Sequence, residues 1–482
     1  MNLKKITINN YRSIEKLEID FNGQNKSFFG FLGINEAGKS NLLKAISIKD
    51  NLSEFNYENS RRKEVEEGVI VEYEFENPFS KKDIKEILLN GQELNINKFV
   101  SEIDIKSIKI ISSINQNEAP KNEVDLVLGK KSLKDWVEDS EDIVTKRNPK
   151  SDKPGLDLNQ FLVSKLKSKI LENAPKIIFW KNEDKYLMNG EINLSQFKSN
   201  PSDVSIPLKN CFILSGHPNI GEIIDKSNSD AAFKGDLYEE ISKKITDFVN
   251  KKWADHKVEL KFEESGGNLN FFVKDIDGKR QGIDSRSEGF RQFISFLLSS
   301  SAEVENEELR DSIIIIDEPE SHLHPTSQED LLKELIKISK KNIVLFATHS
   351  SYLIDKENFT NYYSVFKNDN LTNFEKFSNN LTTFSEINYI VFDIPTTDYH
   401  NELYGWCKIN KETKLNGLQK KIKYIKQKRD GNTEDMKVSL PEFIRHKIHH
   451  PENKHNDSFT LIQLKESIEI LRKIKYGGKN EK

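Results

Sequence analysis

An unbroken run of β-branched residues constrains the fold more than any other feature of this chain. Residues Ile313–Ile316 are four consecutive isoleucines, and the acidic pair Asp317 and Glu318 follows them. A strand without polar alternation is typical of a parallel sheet that is covered on both faces. Such sheets bind ligands outside the carboxyl ends of their strands. The run therefore predicts an α/β fold in which Asp317 holds a divalent cation and Glu318 orients or deprotonates a water.

The pattern around this run repeats the same type of unit. From Ser287 onward we expect a helix through Phe293, the Ile313 strand, a helix through Leu331, and the strand that begins at Ile343. This alternation indicates parallel α/β units. The opening residues 6–21 alternate apolar and polar side chains and predict two paired strands, while the pattern after about residue 384 is helical.

Composition narrows the function classes. The 482 residues suffice for two or three domains, and the net charge of -4 excludes a globally basic nucleic-acid coat while leaving local basic faces possible. Two cysteines, Cys211 and Cys407, are too few for a zinc cluster or a disulfide framework. The amino terminus lacks the apolar core of a signal peptide, and no apolar run approaches the ~18 residues of a membrane span. We expect a cytoplasmic protein that is not anchored in a membrane.

Residues 33–40, Gly-Ile-Asn-Glu-Ala-Gly-Lys-Ser, match the phosphate-binding loop G-x-x-x-x-G-K-[ST] between a predicted strand and a predicted helix. The glycines let backbone N–H groups turn toward phosphates, and the helix N-terminus adds positive partial charge. Lys39 would reach the β- and γ-phosphates, and the Ser40 hydroxyl would ligate Mg²⁺. The predicted nucleotide contacts of this segment are Gly33, Asn35, Gly38, Lys39, Ser40 and Asn41.

Two further segments fit the same site. Ser287 and Gly289 open a helix and offer a hydroxyl and backbone N–H groups to an anion, but the same residues also make an ordinary N-cap, which is favoured when they are taken alone. His349 follows the strand that ends at Thr348, where an imidazole could touch a γ-phosphate. The alternative for His349 is a polar histidine in a loop.

Together these segments resemble the ATP-binding-cassette superfamily, specifically its RecF/SMC/OLD-like branch, over about residues 1–75 and 255–355. Lys39 falls on the Walker A lysine, Ser287 and Gly289 on the signature motif, Asp317 and Glu318 on Walker B, and His349 on the switch histidine. Residues 318–325, Glu-Pro-Glu-Ser-His-Leu-His-Pro, have the form seen in OLD-type ATPases. Phe290 departs from the glutamine that is usual in transporters, and no Q-loop glutamine is evident.

The resemblance implies an ABC/SMC-like P-loop ATPase head with an inserted α/β middle region and a carboxy-terminal helical domain. Four segments are expected: an ATPase lobe with Walker A (1–80), an inserted mixed region (81–210), an ATPase lobe with signature, Walker B and switch histidine (211–383), and a helical domain (384–482). The resemblance also implies ATP and Mg²⁺ as cofactors, and it implies that Ser40 and Asp317 hold the metal. Lys39, Glu318 and His349 would act in hydrolysis. A homodimer or higher oligomer would sandwich ATP, with Ser287 and Gly289 of one protomer completing the site of the other.

The remaining sequence bears on what hydrolysis drives. OLD proteins carry a Toprim nuclease, whose acidic signature is not visible after His349. An ATPase core with a helical tail resembles the ATPase subunits of Septu-type phage-defence systems, which act with a separate HNH nuclease. We therefore expect a regulator of a partner nuclease encoded nearby.

A second motif leaves an alternative open. Arg445 to His450 matches R-[NDH]-x-x-x-H of HEPN ribonucleases, in which an arginine and a histidine assist attack by an RNA 2′-hydroxyl. The favoured alternative is a structural helix end. The basic segment 420–429 suits a phosphate-facing helix or a nucleic-acid groove, and a solvated helix face fits it at least as well. The competing functions are a self-contained ATP-gated ribonuclease and a RecF-like DNA-repair ATPase.

Overall fold

The computed structural model describes residues 1–21, 27–88, 96–138, 144–148, 154–180, 184–253, 257–274, 278–305, 311–355, 359–377, 383–428 and 431–477. The chain divides into two compact units. The first comprises Met1–Asp355 and Asn361–Lys376, and the second comprises Lys356–Thr360 and Phe377–Lys482.

A parallel sheet lies at the centre of the first unit. Its strands, in spatial order, are Ile177–Trp180, Ile313–Asp317, Ile343–Thr348, Ser27–Leu32, Tyr362–Asn368 and Leu371–Lys376. The first five run parallel, and the last is an antiparallel edge strand. Residues Ile313–Ile316 and the whole strand Ile343–Thr348 are buried, because helices cover the sheet. The α/β fold class predicted from the isoleucine run is confirmed.

An antiparallel sheet forms the second layer. In spatial order its strands are Ile14–Asp20, Leu3–Tyr11, Val69–Glu76, Ile105–Ile114 and Lys121–Leu128. Ile8 lies opposite Leu17, as the alternation of the opening residues predicts. The two strands between Ile105 and Leu128 extend this sheet, and Ile177–Trp180 joins the parallel sheet, so these parts of the region 81–210 are built into the same core.

A small third sheet and several helices carry the signature segment. The sheet contains Glu191–Asn193, Glu259–Ser265, Asn268–Lys274 and Arg280–Gly282. The helix Glu288–Glu305, called the signature helix below, packs on the helix Ile206–Leu214. The buried Asn210 side chain donates hydrogen bonds to the carbonyls of Leu298 and Ser299 at 3.0 and 2.9 Å, which fixes the two helices against each other.

The other elements of the first unit surround these sheets. Its further α-helices are Lys39–Ser47, Tyr57–Ser60, Lys81–Leu88, Ile96–Glu102, Leu158–Asn173, Leu194–Ser199, Pro201–Val204, Ile220–Ser229, Ala231–Lys252 and Pro325–Ser339. Two short strand pairs join Ser132–Leu133 to Leu156–Asp157 and Trp136–Glu138 to Val144–Lys146. Short 3₁₀ helices span Ile48–Asp50, Leu52–Glu54, Asp184–Tyr186, Ile283–Ser285 and Ser351–Leu353.

In its described residues the second unit is helical except for one hairpin. Besides the 3₁₀ segment Phe359–Asn361 at the junction of the units, its helices are Phe384–Phe392, Thr397–Asn410, Glu412–Asn416, Leu440–His449 and Leu461–Tyr476, and its strands are Ile422–Gln427 and Thr433–Val438. They enclose a core of their own. No helix in the described ranges is long and apolar enough to cross a membrane.

The hairpin corrects the helix predicted for the basic segment 420–429, of which Arg429 lies outside the described residues. Tyr424 is buried, whereas Lys423 is exposed and lies 2.9 Å from Asp435 on the opposite strand. Lys428 lies 3.2 Å from Glu434 in the same way. The helix prediction is wrong because the segment pairs with the strand Thr433–Val438, whose acidic residues offset its charge.

Candidate nucleotide site

The phosphate-binding loop lies where the sequence predicts it, between the strand Ser27–Leu32 and the helix Lys39–Ser47. Both of its outer glycines are required by packing. A Cβ atom on Gly33 would lie 2.2 Å from the Val365 carbonyl oxygen, and one on Gly38 would lie 2.0 Å from the Thr372 hydroxyl. Gly38 also has a φ of 105°, which strains any other residue. The loop is thus held against the strands at the edge of the sheet.

Lys39 is buried at the start of the helix, and its ammonium group points back into the loop. Its Nζ atom donates to the carbonyl oxygens of Gly33 and Ile34 at 3.0 and 3.1 Å and lies 2.8 Å from His349 Nε2. Burial lowers the pKa of Lys39 to about 8, although the nearby carboxylates of Glu318 and Asp317 oppose this shift. Within the described residues the direct contacts of Nζ are carbonyl oxygens and the His349 ring, so a bound phosphate would place a negative group directly against it.

Asp317 and Ser40, the two residues predicted to hold a metal, lie in contact with each other. The Ser40 side chain hydrogen-bonds to the Asp317 carboxylate, and desolvation raises the pKa of Asp317. The buried Asp317 Oδ1 atom has no hydrogen-bond partner among the described residues. The described part of the chain contains no cluster of three or more His, Cys, Asp or Glu side chains that could hold a metal. A carboxylate and a hydroxyl suit Mg²⁺, which keeps waters and phosphate oxygens as its other ligands.

Glu318 and His349 face each other across the carboxyl ends of neighbouring strands. Glu318 Oε1 lies 3.2 Å from His349 Nε2. Glu318 has a left-handed backbone with a φ of 48°, and its N–H donates to the Ala347 carbonyl at 3.0 Å. Burial and the charge of Lys39 lower the pKa of His349, so the neutral imidazole is favoured. A carboxylate, a neutral imidazole and an ammonium group therefore meet at one point.

These groups line a cavity of about 420 Å³, within the usual size of a small-molecule site. Its walls are formed by Asn35, Glu36, Gly38, Lys39, Ser40, Asn41, Glu318, His349 and Lys367. Lys367 was not predicted. It lies on the strand Tyr362–Asn368 and reaches the cavity because that strand pairs with Ser27–Leu32. Its sequence signal is a lysine that directly follows the largely apolar residues 362–366, a stretch that was not predicted as a strand.

Arg12 is a second neighbour of the site that the sequence reasoning missed. Its Nη1 atom donates to Asn41 Oδ1 at 3.0 Å, and its Nε atom donates to the Asn59 carbonyl at 3.0 Å. Asn41 in turn donates to Ser13 Oγ at 3.3 Å. Arg12 has a φ of 49° in the turn between the first two strands. An arginine in so short a turn was the available signal.

Ser287 and Gly289 are not among the residues that line the cavity. Ser287 Oγ accepts a hydrogen bond from the Phe290 N–H at 3.4 Å. This is the contact that the N-cap alternative predicts. A Cβ atom on Gly289 would lie 2.1 Å from the His322 carbonyl oxygen, so glycine lets the signature helix approach the turn after Walker B. Phe290, which replaces the usual glutamine, is buried against Trp253 with ring centroids 5.4 Å apart.

Arg445 and His450 lie in the second unit. The Arg445 guanidinium lies over the Tyr404 ring, 4.8 Å from its centroid. His450 follows the last residue of the helix Leu440–His449, is exposed, and its Nδ1 atom lies 3.2 Å from Glu452 Oε1. The two residues are five positions apart, and a helix would instead bring Arg445 and His449 to one face. Their use as a ribonuclease site stays a prediction.

Comparison with known proteins identifies the family of the first unit. Residues 1–354 match the model of the AAA ATPase domain. The chain belongs to this ATPase family. A stretch of 114 residues is 26% identical to the uncharacterised protein MJECL43 of Methanocaldococcus jannaschii and covers 22% of this chain and 30% of that relative. The family is therefore established by the match over residues 1–354. This chain covers only 30% of the length of the relative from Methanocaldococcus jannaschii.

Two solved structures share a partial likeness with the ATPase. The SMC head bound to the C-winged helix domain of ScpA is 13% identical, with a TM-score of 0.42, and 78% of this chain and 98% of that chain are covered. The SMC head domain from Thermotoga maritima is also 13% identical, with a TM-score of 0.36, and 78% and 100% of the two chains are covered.

Proposed function

We propose that this ATPase binds and hydrolyses ATP with Mg²⁺ at the cavity around Lys39. One observation supports the proposal most directly. His349 Nε2 lies 2.8 Å from Lys39 Nζ and 3.2 Å from Glu318 Oε1, next to the Asp317 and Ser40 pair. The residues come from three distant parts of the sequence. Their convergence on a phosphate-binding loop is the arrangement that phosphoryl transfer to water requires.

Each residue has a distinct task in this reaction. Lys39 holds the β- and γ-phosphates and meets the negative charge that develops on the γ-phosphate. Glu318 orients the attacking water and accepts its proton, and His349 donates a hydrogen bond to the γ-phosphate. Asp317 and Ser40 would hold Mg²⁺, which would neutralise phosphate charge. Loss of turnover in Lys39→Ala tests the assignment, and normal turnover in that variant would contradict it.

We infer that ATP also closes a dimer. Ser287 is exposed at the start of the signature helix and is absent from the cavity of its own chain, so a second protomer can bring it to the nucleotide. The mass of Glu318→Gln should double in light scattering when ATP is added. Ser287→Arg in that background should stay monomeric, because a large cation there blocks close approach. A dimer that forms without ATP, or that survives Ser287→Arg, would contradict the sandwich.

We propose that this switch regulates a partner nuclease in prokaryotic phage defence. Two resemblances support this role: residues 318–325 have the form of OLD-type defence and repair ATPases, and an ATPase followed by a helical tail is the layout of Septu-type ATPases. The test is a plaque assay in cells that carry the gene with its neighbours. Protection should be lost in Lys39→Ala, and a nuclease of the HNH class should co-purify with the wild type. Equal protection by Lys39→Ala would exclude a nucleotide-gated role.

A further inference from the structure

Glu320 is the third acidic residue at the end of the Ile313–Asp317 strand, after Asp317 and Glu318, and it does not line the cavity. It is only 8% exposed. Its Oε2 atom is buried and has no hydrogen-bond partner within the described ranges. Burying a carboxylate costs free energy unless hydrogen bonds compensate for the lost water. The hydrogen-bond partners of the other oxygen, Oε1, therefore indicate the role of Glu320.

The turn after the strand directs Glu318 and Glu320 to different places. Glu318 and His322 both have left-handed backbones, with φ values of 48° and 62°. The Ser321 N–H donates to the Glu318 carbonyl at 3.1 Å, and the Leu323 N–H donates to the Glu320 carbonyl at 2.9 Å. The chain therefore changes direction directly after the strand. As a result, Glu318 faces the cavity, whereas the Glu320 side chain contacts the loop that carries His349.

One oxygen of Glu320 organises that loop. Glu320 Oε1 accepts hydrogen bonds from Thr348 Oγ1 at 2.6 Å and from the His349 N–H at 2.7 Å. Thr348 Oγ1 also accepts a hydrogen bond from the Ser350 N–H at 2.9 Å. Because the Ser350 amide occupies the acceptor side of the hydroxyl, the hydroxyl proton is directed to Glu320. The carboxylate thus fixes three consecutive residues, 348–350.

We propose that Glu320 is a positioning residue for ATP hydrolysis: it holds the backbone at His349 so that the imidazole lies between Lys39 and Glu318. The inference rests on the proposed ATPase function. Without the Oε1 acceptor, the Thr348 hydroxyl and the His349 amide lose their partner and the backbone shifts. His349 acts on charge that develops during the reaction, so its displacement lowers kcat and leaves ATP binding largely unchanged.

A second tether keeps the loop folded when Glu320 is changed. Ser350 Oγ donates to Gln328 Oε1, and Gln328 Nε2 donates to the Leu323 carbonyl at 2.8 Å. This contact comes from the helix Pro325–Ser339 and is independent of Glu320. Removing the carboxylate should therefore displace the middle of the loop while its end stays in place.

The test compares kcat and KM for ATP in the wild type, Glu320→Ala, His349→Ala and the double variant. Glu320→Ala should lower kcat by about 10- to 100-fold, the effect of misplacing a reacting group by about 1 Å, and should change KM less than threefold. The double variant should be no slower than His349→Ala, because both changes remove one function. Glu329→Ala, an exposed carboxylate on the next helix, is the control and should match the wild type.

Two outcomes would overturn the inference: wild-type kcat in Glu320→Ala, or losses that multiply in the double variant. Glu320→Gln keeps an acceptor oxygen and should restore kcat to within about fivefold of the wild type. Thr348→Val removes one of the two hydrogen bonds to Glu320 and should give an intermediate kcat. If Glu320→Ala does not fold, this variant replaces it in the test, and a wild-type kcat in Thr348→Val would then overturn the inference. Turnover that persists in Lys39→Ala would instead refute the proposed function.

Discussion

The affinity for ATP should fall as the pH rises through about 8, because Lys39 loses its proton there. The pKa of Lys39 in the free protein is about 8, and desolvation is the main cause. A triphosphate stabilises the charged ammonium group, so the complex requires protonated Lys39. At pH 7 about 90% of the free protein carries this proton, and at pH 9 only about 10% does.

The magnitude follows from this population. Binding at pH 9 must first protonate Lys39, and the apparent Kd rises by a factor of 1 + 10^(pH − 8), which gives about tenfold between pH 7 and pH 9. The pKa of His349 is lowered from its usual value of 6.5, so His349 is neutral throughout this range and does not contribute. Proton uptake on binding should approach about one per site near pH 9.

Isothermal titration with ATP and Mg²⁺ in buffers of different ionisation enthalpy measures both the Kd and the proton uptake. Lys39→Arg is the matched control, since arginine keeps its proton over the whole range. That variant should bind more weakly but with a Kd that does not depend on pH. A Kd that stays constant from pH 7 to pH 9 in the wild type, or an equal rise in Lys39→Arg, would refute the reasoning.

Three further changes test the packing around the site. Gly289→Ala places a Cβ 2.1 Å from the His322 carbonyl and should destabilise the fold by about 1–3 kcal/mol in urea unfolding, whereas Gly282→Ala, with nothing within 4 Å, should not. Lys367→Ala removes an exposed charge from the cavity wall and should weaken ATP binding about two- to fivefold, with Lys340→Ala unchanged. Ile315→Ala opens a cavity in the parallel sheet and should cost about 2–5 kcal/mol, well above the exposed Ile70→Ala.

The features that could be predicted are those written in local sequence. Ile313–Ile316 needs cover on both faces wherever it lies, and a strand, a glycine-rich loop and a helix around Lys39 are contiguous in the chain. The carboxyl ends of the parallel strands then bring Asp317, Glu318 and His349 to one edge. The site core therefore follows from pattern and from the rules of parallel sheets.

The features that were missed depend on pairing between distant segments. Lys367 reaches the cavity only because its strand pairs with Ser27–Leu32. Glu320 contacts Thr348 because Glu318 adopts a left-handed backbone, and the sequence gives no signal for that conformation. The strand at Tyr424 has no regular alternation of apolar and basic residues, and it forms because it pairs with Thr433–Val438. Tertiary context decides each of these.

Turnover of ATP by the purified chain, measured together with ATP binding, tests the central claim most directly. The wild type should hydrolyse ATP with Mg²⁺, and Glu318→Gln should bind ATP with similar affinity while its kcat falls by at least about 100-fold, because the carboxylate that orients and deprotonates the water is lost. Wild-type turnover in Glu318→Gln would contradict the account.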